Sequence, residues 1–362
     1  MPAPVISSVS VREDATVPDS PQKINSDLVA GIPKAELHVH LVGSAPVETV
    51  LELARRHPDR GVPTDEAELR SFYEFRDFAH FIEVYVAVNS LVRTAVDVEL
   101  LVVGVARDLA TQNVRYAELT VTPDSHLLMG IAPDDVATAL DNARRTASAE
   151  HGVVLQWIFD IPGELGLPSG ERTIDWVEQY APAGSVGFGL GGPEQGVDRP
   201  QFADVFARAR AIGLHSVPHA GETTGPQTIW DALESLRAER IGHGISAAED
   251  ARLMEHLATS RIPLEVCPTS NLRTRAVTDL AEHPFTRLRD AGVTLTLNSD
   301  DPGMFATTLN TEYQVAHEHF GLDRTALLEV ARTAARVSYA PDAVRAALLA
   351  EIDSYEAGFE SP

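Results

Sequence analysis

The chain has 362 residues, with 29 Lys+Arg against 53 Asp+Glu and a formal net charge of -24. That length builds one large domain or two ordinary ones, and 44% hydrophobic with 23% charged residues fits a soluble globular protein. Such acidity argues against proteins that bind nucleic acid or anionic membrane through a basic patch. A single cysteine, Cys267, excludes an intrachain disulfide framework and a Cys-rich zinc module.

Residues 1–28 mix Pro, Ser and acidic groups without a basic start and apolar run, so they read as a loose tail rather than a leader. Residues 29–362 read as one domain. No apolar stretch is long enough to span a bilayer, and a cytoplasmic setting is the expectation. Eight strands follow in order: Ala35–His40, Val114–Val121, Val153–Ile161, Val186–Leu190, Leu214–His219, Arg240–His243, Ile262–Val266 and Val293–Asn298. Helical patterns fill the gaps, among them Pro46–His57, Asp97–Gln112, Pro133–His151, Ile174–Tyr180, Arg199–Ile212, Gln227–Arg237 and Ala247–Ser260. Ser44-Ala45-Pro46 and Thr64-Asp65-Glu66 look like helix starts, and Gly152 and Gly213 like helix stops. The alternation predicts a (β/α)8 TIM barrel. Extra helices rich in Phe and Tyr fall after strand one, and a helical block (residues 306–359) follows strand eight.

Of thirteen histidines, four stand at the carboxyl ends of predicted strands, where a parallel barrel builds its active site. His38 and His40 end strand one two residues apart, on one face. His219 ends strand five with Glu222 shortly after, His243 ends strand six, and Asp300 and Asp301 follow strand eight. Eight others, His283 among them, read as ordinary helix or loop residues, and His215, near the start of strand five, reads as structural. Three imidazoles, or two with a carboxylate, describe a catalytic zinc site, where the ion lowers the pKa of a water. A nearby Glu that is not a ligand is free for proton transfer. Physics alone reaches a metal-assisted hydrolase.

The blocks PKAELHVHLVGS, VPHAGE, RIGHGI, CPTSN and LNSDDP, in this order from Pro33 to Tyr355, resemble the adenosine deaminase family of the amidohydrolase superfamily. The resemblance implies one zinc per chain on His38, His40, His219 and Asp300. It implies Glu222 as proton donor to a purine ring nitrogen, and His243 as the residue that orients and deprotonates the attacking water. Asp301 would hydrogen-bond another ring nitrogen, and Gly192 would meet the purine through its amide. Binuclear relatives need a lysine at the end of strand four, and neither Lys23 nor Lys34 lies there. The cytidine-type zinc deaminases need a PCxxC pair, which one cysteine cannot supply.

The chain departs from that pattern around the sugar. Val42 stands where adenosine deaminases carry an acid for the ribose 5′-hydroxyl. The Tyr-x-Glu-x-Arg block reads Tyr116-Ala117-Glu118-Leu119-Thr120, and Pro193 replaces an acid. A buried apolar group leaves a hydroxyl unpaired at a cost of about 1–3 kcal/mol. The expected reaction is hydrolytic deamination of a 6-aminopurine nucleoside, adenosine or one modified at the 5′ position. Aminodeoxyfutalosine deamination in menaquinone biosynthesis and adenine deamination are the alternatives, ahead of another mononuclear amidohydrolase or a non-catalytic homologue. Val42, Phe75 and Phe78 are expected at the 5′ group, within an aromatic cluster whose other reading is helix core, and Arg76 could meet a carboxylate. Partners are a purine and water, with no nucleic acid or membrane. A homo-oligomer is compatible with the sequence but not specified by it.

Overall fold

In a computed structural model of the chain, residues 26–359 are described. Among them, eight parallel strands run in the order β1 to β8: Lys34–His40, Val114–Val121, Val154–Pro162, Ser185–Gly191, His215–Ala220, Ile241–His243, Leu264–Val266 and Leu295–Leu297. Leu41 N donates to Thr120 O on one side of β1. On the other side, His40 N donates to Asp300 O and Asp300 N to His38 O, closing the ring between β8 and β1. The result is the expected barrel, and its carboxyl end gathers the residues that carry chemistry.

The strands bury side chains on both faces, so they read as apolar runs rather than alternating ones. Gly152 (φ +70) and Gly213 (φ +90) end helices in the left-handed region, as expected. Asp65 caps the Glu66–Phe72 helix by accepting from Ala67 N and Glu68 N. Ser44 is not a cap. The Val47–Arg56 helix starts from Pro46, and the Ser44 hydroxyl donates to His40 O at 2.5 Å, tying the loop to β1. β8 is shorter than its apolar run because the Asn298 side chain, through Oδ1, accepts from Leu37 N (3.2 Å).

Two long excursions complete the barrel. After β1 come the Glu66–Phe72 and Phe78–Asn89 helices, and after β8 the helices Leu309–Phe320, Arg324–Val337 and Asp342–Ala357. Residues 1–25 of the expected tail lie outside the described residues, while Ser26–Leu28 belong to the Ser26–Gly31 helix. No helix among the described residues is long and apolar enough to cross a membrane.

Candidate active site

His38 and His40 end β1 beside an irregularity in its register with β2, a place where a strand re-aims its side chains. His40 Nε2 lies 3.1 Å from His219 Nε2 and 3.3 Å from Asp300 Oδ1, and His38 Nε2 lies 3.5 Å from the same oxygen. A tetrahedral ion with bonds of about 2.0–2.1 Å spaces its donor atoms about 3.3 Å apart. His38 Nε2 is buried without a hydrogen-bond partner, and a ring whose Nδ1 donates to a carboxylate offers an ion the lone pair of that nitrogen. His38, His219, His243 and Asp300 also offer donor atoms within 4.8 Å of one another. His40 is not a member of that group, and His243 Nε2 within it stands 3.8 Å from Asp300 Oδ2 and 3.7 Å from Glu222 Oε2.

Asp300 takes a left-handed backbone, φ +64, between its two bonds to β1. That conformation is uncommon away from glycine, and the strand pairing on both sides maintains it. Its Oδ2 accepts from Ser270 at 2.6 Å. Gly43 packs against Asp301: a β-carbon there would stand 1.7 Å from Asp301 Oδ1. Gly192 (φ +81) lines the same pocket, and a β-carbon on it would meet Glu164 Oε2 at 2.3 Å.

Glu222 is buried, and burial together with Asp300 and Glu194 pushes its carboxyl up to about 8. Thr274 Oγ1 donates to its Oε1 at 3.0 Å, leaving Oε2 toward His243. Asp301 is held well above the usual carboxylate range by burial and the charge of Asp300. Burial drives His243 down to about 3, so its ring is neutral at ordinary pH.

Several supporting residues escaped the sequence reading. Glu265 Oε2 meets His38 Nδ1 at 2.8 Å, the carboxylate–histidine contact that orients a metal ligand. Burial raises the Glu265 carboxyl, but the Arg240 guanidinium and His38 outweigh it and hold it low. Arg240, from the RIGHG block, also bonds Glu118. Glu194, one residue after Pro193, accepts from Thr223 N (2.6 Å) and Thr224 N (3.0 Å) and braces the loop carrying Glu222. His283 is buried two hydrogen bonds from His243 and is not an ordinary loop histidine. Arg240, Glu118 and Asn271 stand in the quoted RIGHGI, Tyr116–Thr120 and CPTSN blocks, whereas Glu265 and His283 carry no such signal.

The pocket wall differs from expectation. Phe78, Phe81, Ile82, Tyr85, Val86 and Asn89 line it from one face of the Phe78–Asn89 helix. Val42 and Phe75 do not. Val42 is buried in the core, and Phe75 packs its ring against Phe81 (5.3 Å) and Phe305 (5.9 Å). Arg76 is exposed and off the lining, and no Lys or Arg is among the described residues that form it. Lys34 is buried at the amino end of β1, donating to Ile32 O and Gln112 O, far from strand four. Lys23 lies outside the described residues.

The adenosine deaminase family model matches residues 33–355. An aminodeoxyfutalosine deaminase of Streptomyces avermitilis is 56% identical over 336 residues, covering 92% of this chain and 94% of that protein. An adenine deaminase of Cupriavidus metallidurans is 36% identical, covering 91% and 93%. Among solved structures, the adenine deaminase of Arthrobacter aurescens superposes with a TM-score of 0.85 at 31% identity, covering 90% of this chain and 99% of that one. The chain therefore belongs to the adenosine deaminase family of the amidohydrolase superfamily, hydrolases that act on C–N bonds.

Proposed function

We propose that the protein is a zinc enzyme that hydrolyses the 6-amino group of a 6-aminopurine nucleoside with an extended aromatic 5′ substituent, aminodeoxyfutalosine above all. One observation carries the chemistry: donor atoms spaced as around a tetrahedral ion stand beside a Glu222 carboxyl that keeps its proton at neutral pH. His38, His40, His219 and Asp300 are the ligands in this reading, a set of three imidazoles and one carboxylate that suits zinc. When bound, the ion makes hydroxide available at neutral pH.

The chain's own groups do the rest. Glu222 gives its proton to the ring nitrogen beside the reacting carbon, which makes that carbon electrophilic. Asp301, whose carboxyl burial and the charge of Asp300 hold well above the usual carboxylate range, hydrogen-bonds a second ring nitrogen through a carboxyl whose Oδ1 has no protein partner. The Gly192 amide meets the purine edge. His243, whose Nε2 stands 3.7 Å from Glu222 Oε2 and 3.8 Å from Asp300 Oδ2, orients the attacking water.

The substrate follows from the wall and from the 56% identical relative. A 5′-phosphate would enter a pocket whose described lining has no cation and includes Asp160, Glu164, Asp300 and Asp301. An aromatic 5′ group instead meets Phe78, Phe81, Ile82 and Tyr85, and its far end reaches Val86, which is 56% exposed at the mouth. Incubating zinc-loaded protein with aminodeoxyfutalosine should release one ammonia per 6-oxo product. No ammonia from it, with turnover of adenine alone, would overturn the substrate.

A further inference from the structure

Three side chains form a chain of hydrogen bonds behind the reaction centre. Phe285 N donates to His283 Nδ1 at 3.1 Å. His283 Nε2 stands 3.2 Å from Asn271 Oδ1, and Asn271 Nδ2 stands 3.1 Å from His243 Nδ1. Asn271 and His283 are both buried, so each contact is made with protein.

The direction of every bond follows from the first. A backbone amide can only donate, so His283 Nδ1 must accept, and a neutral imidazole then carries its hydrogen on Nε2. Burial supports the neutral ring by lowering His283 to about 4. That Nε2–H needs an acceptor, which must be the Asn271 carbonyl oxygen. The reversed amide would set two N–H groups against each other. The Asn271 NH2 therefore faces His243 Nδ1 and donates to it. His243, neutral and accepting at Nδ1, holds its hydrogen on Nε2.

We propose that His283 and Asn271 are positioning residues that fix His243 as the Nε2–H tautomer. Two consequences follow. An Nε2 that bears hydrogen cannot ligate an ion, which selects His40 over His243 for the metal. At rest His243 donates a hydrogen bond to the attacking water's oxygen rather than taking its proton. The water's proton then goes to a carboxylate oxygen on the same side, Asp300 Oδ2, 3.8 Å from His243 Nε2. As water oxygen bonds to the ring carbon, the Glu222 proton passes to the ring nitrogen. When the C–N bond breaks, the proton held by Asp300 leaves with the amine as ammonia. The new hydroxyl returns its proton to Glu222 as the 6-oxo group forms.

The inference rests on the deaminase reading for its meaning but not for its test. Histidine 15N NMR reads the tautomer directly, in metal-free and zinc-loaded protein, without turnover. The neutral His243 ring should show its hydrogen on Nε2, and a hydrogen on Nδ1 would overturn the proposal. Asn271→Asp sets an acceptor against His243 Nδ1 and should move the hydrogen to that atom. A wrong tautomer in a comparable hydrogen-bonded histidine costs up to about 10,000-fold, so kcat should fall by roughly 100-fold or more with KM little changed. His283→Gln keeps a donor toward Asn271 and should retain the tautomer and kcat within about threefold, whereas His283→Leu should lose both. Equal losses in His283→Gln and His283→Leu would mean packing alone matters, and an unchanged tautomer in a folded Asn271→Asp protein would also contradict the proposal. If NMR confirms the tautomer but no 6-aminopurine is turned over, the deaminase reading fails and the relay stands.

Discussion

The two ends of the pocket are built on opposite plans. At the inner end four groups are gripped by a second residue: Glu265 on His38, Ser270 on Asp300, Thr274 on Glu222 and Asn271 on His243. Three of those grips come from one short segment, the Pro268–Arg273 helix and the Thr274 that caps it. The outer end is an apolar helix face that offers shape and little hydrogen bonding. Chemistry demands fixed donors and acceptors, because a misplaced proton or ligand costs orders of magnitude in rate. An apolar wall discriminates by volume, at about 1–3 kcal/mol per methylene. The inner end should therefore be intolerant of change for every substrate, and the outer end sensitive only for substrates long enough to touch it.

The largest expected effect breaks the inner end. Glu222→Gln keeps the shape but loses the transferable proton, so kcat should fall about 100- to 10,000-fold with metal content and melting temperature unchanged. Steady-state kinetics beside elemental analysis checks this, and near-normal turnover would remove Glu222 from its role. Next comes Glu265→Gln, which should weaken metal binding about 10- to 100-fold. Melting temperature should fall as well, because Arg240 keeps its buried charge and loses one of its carboxylates.

A pH effect follows in size. With Glu222 pushed up to about 8, its proton is present below that pH and lost above it. The kcat profile should fall as pH rises through about 8, close to tenfold per unit beyond, and the limb should vanish in Glu222→Gln. A profile level to pH 10 would contradict a protonated Glu222. The smallest effect belongs to the wall. Ile82→Ala should lower kcat/KM for aminodeoxyfutalosine by about 10-fold while leaving 5′-deoxyadenosine within about twofold. An equal loss on both would mean that the helix supports the barrel rather than the substrate.

This contrast also explains what could be read from sequence. The inner end was legible because strand ends in a parallel barrel converge, so HxH, HAGE, RIGHG and SDDP could be placed without coordinates. The grips on them were not. Glu265 lies inside a strand that reads as apolar core, and His283 sits in a loop 40 residues beyond His243 with no local pattern. Val42 was read by its position beside the HxH pair, yet its side chain is buried in the core away from the pocket lining. The aromatic cluster was divisible only by the helix phase: Phe78, Phe81 and Tyr85 share the face toward the pocket, while Phe75 precedes the helix and packs on Phe305. β8 ended early for a similar reason, since a side-chain oxygen in place of a backbone carbonyl finishes its pairing.

The most direct test of this two-ended account is one kinetic comparison on the zinc-loaded enzyme, kcat/KM for aminodeoxyfutalosine, 5′-deoxyadenosine, adenosine and AMP. The account predicts the order as written, with AMP lowest because its phosphate meets carboxylates without a cation. Free adenosine or AMP as the best substrate would contradict it.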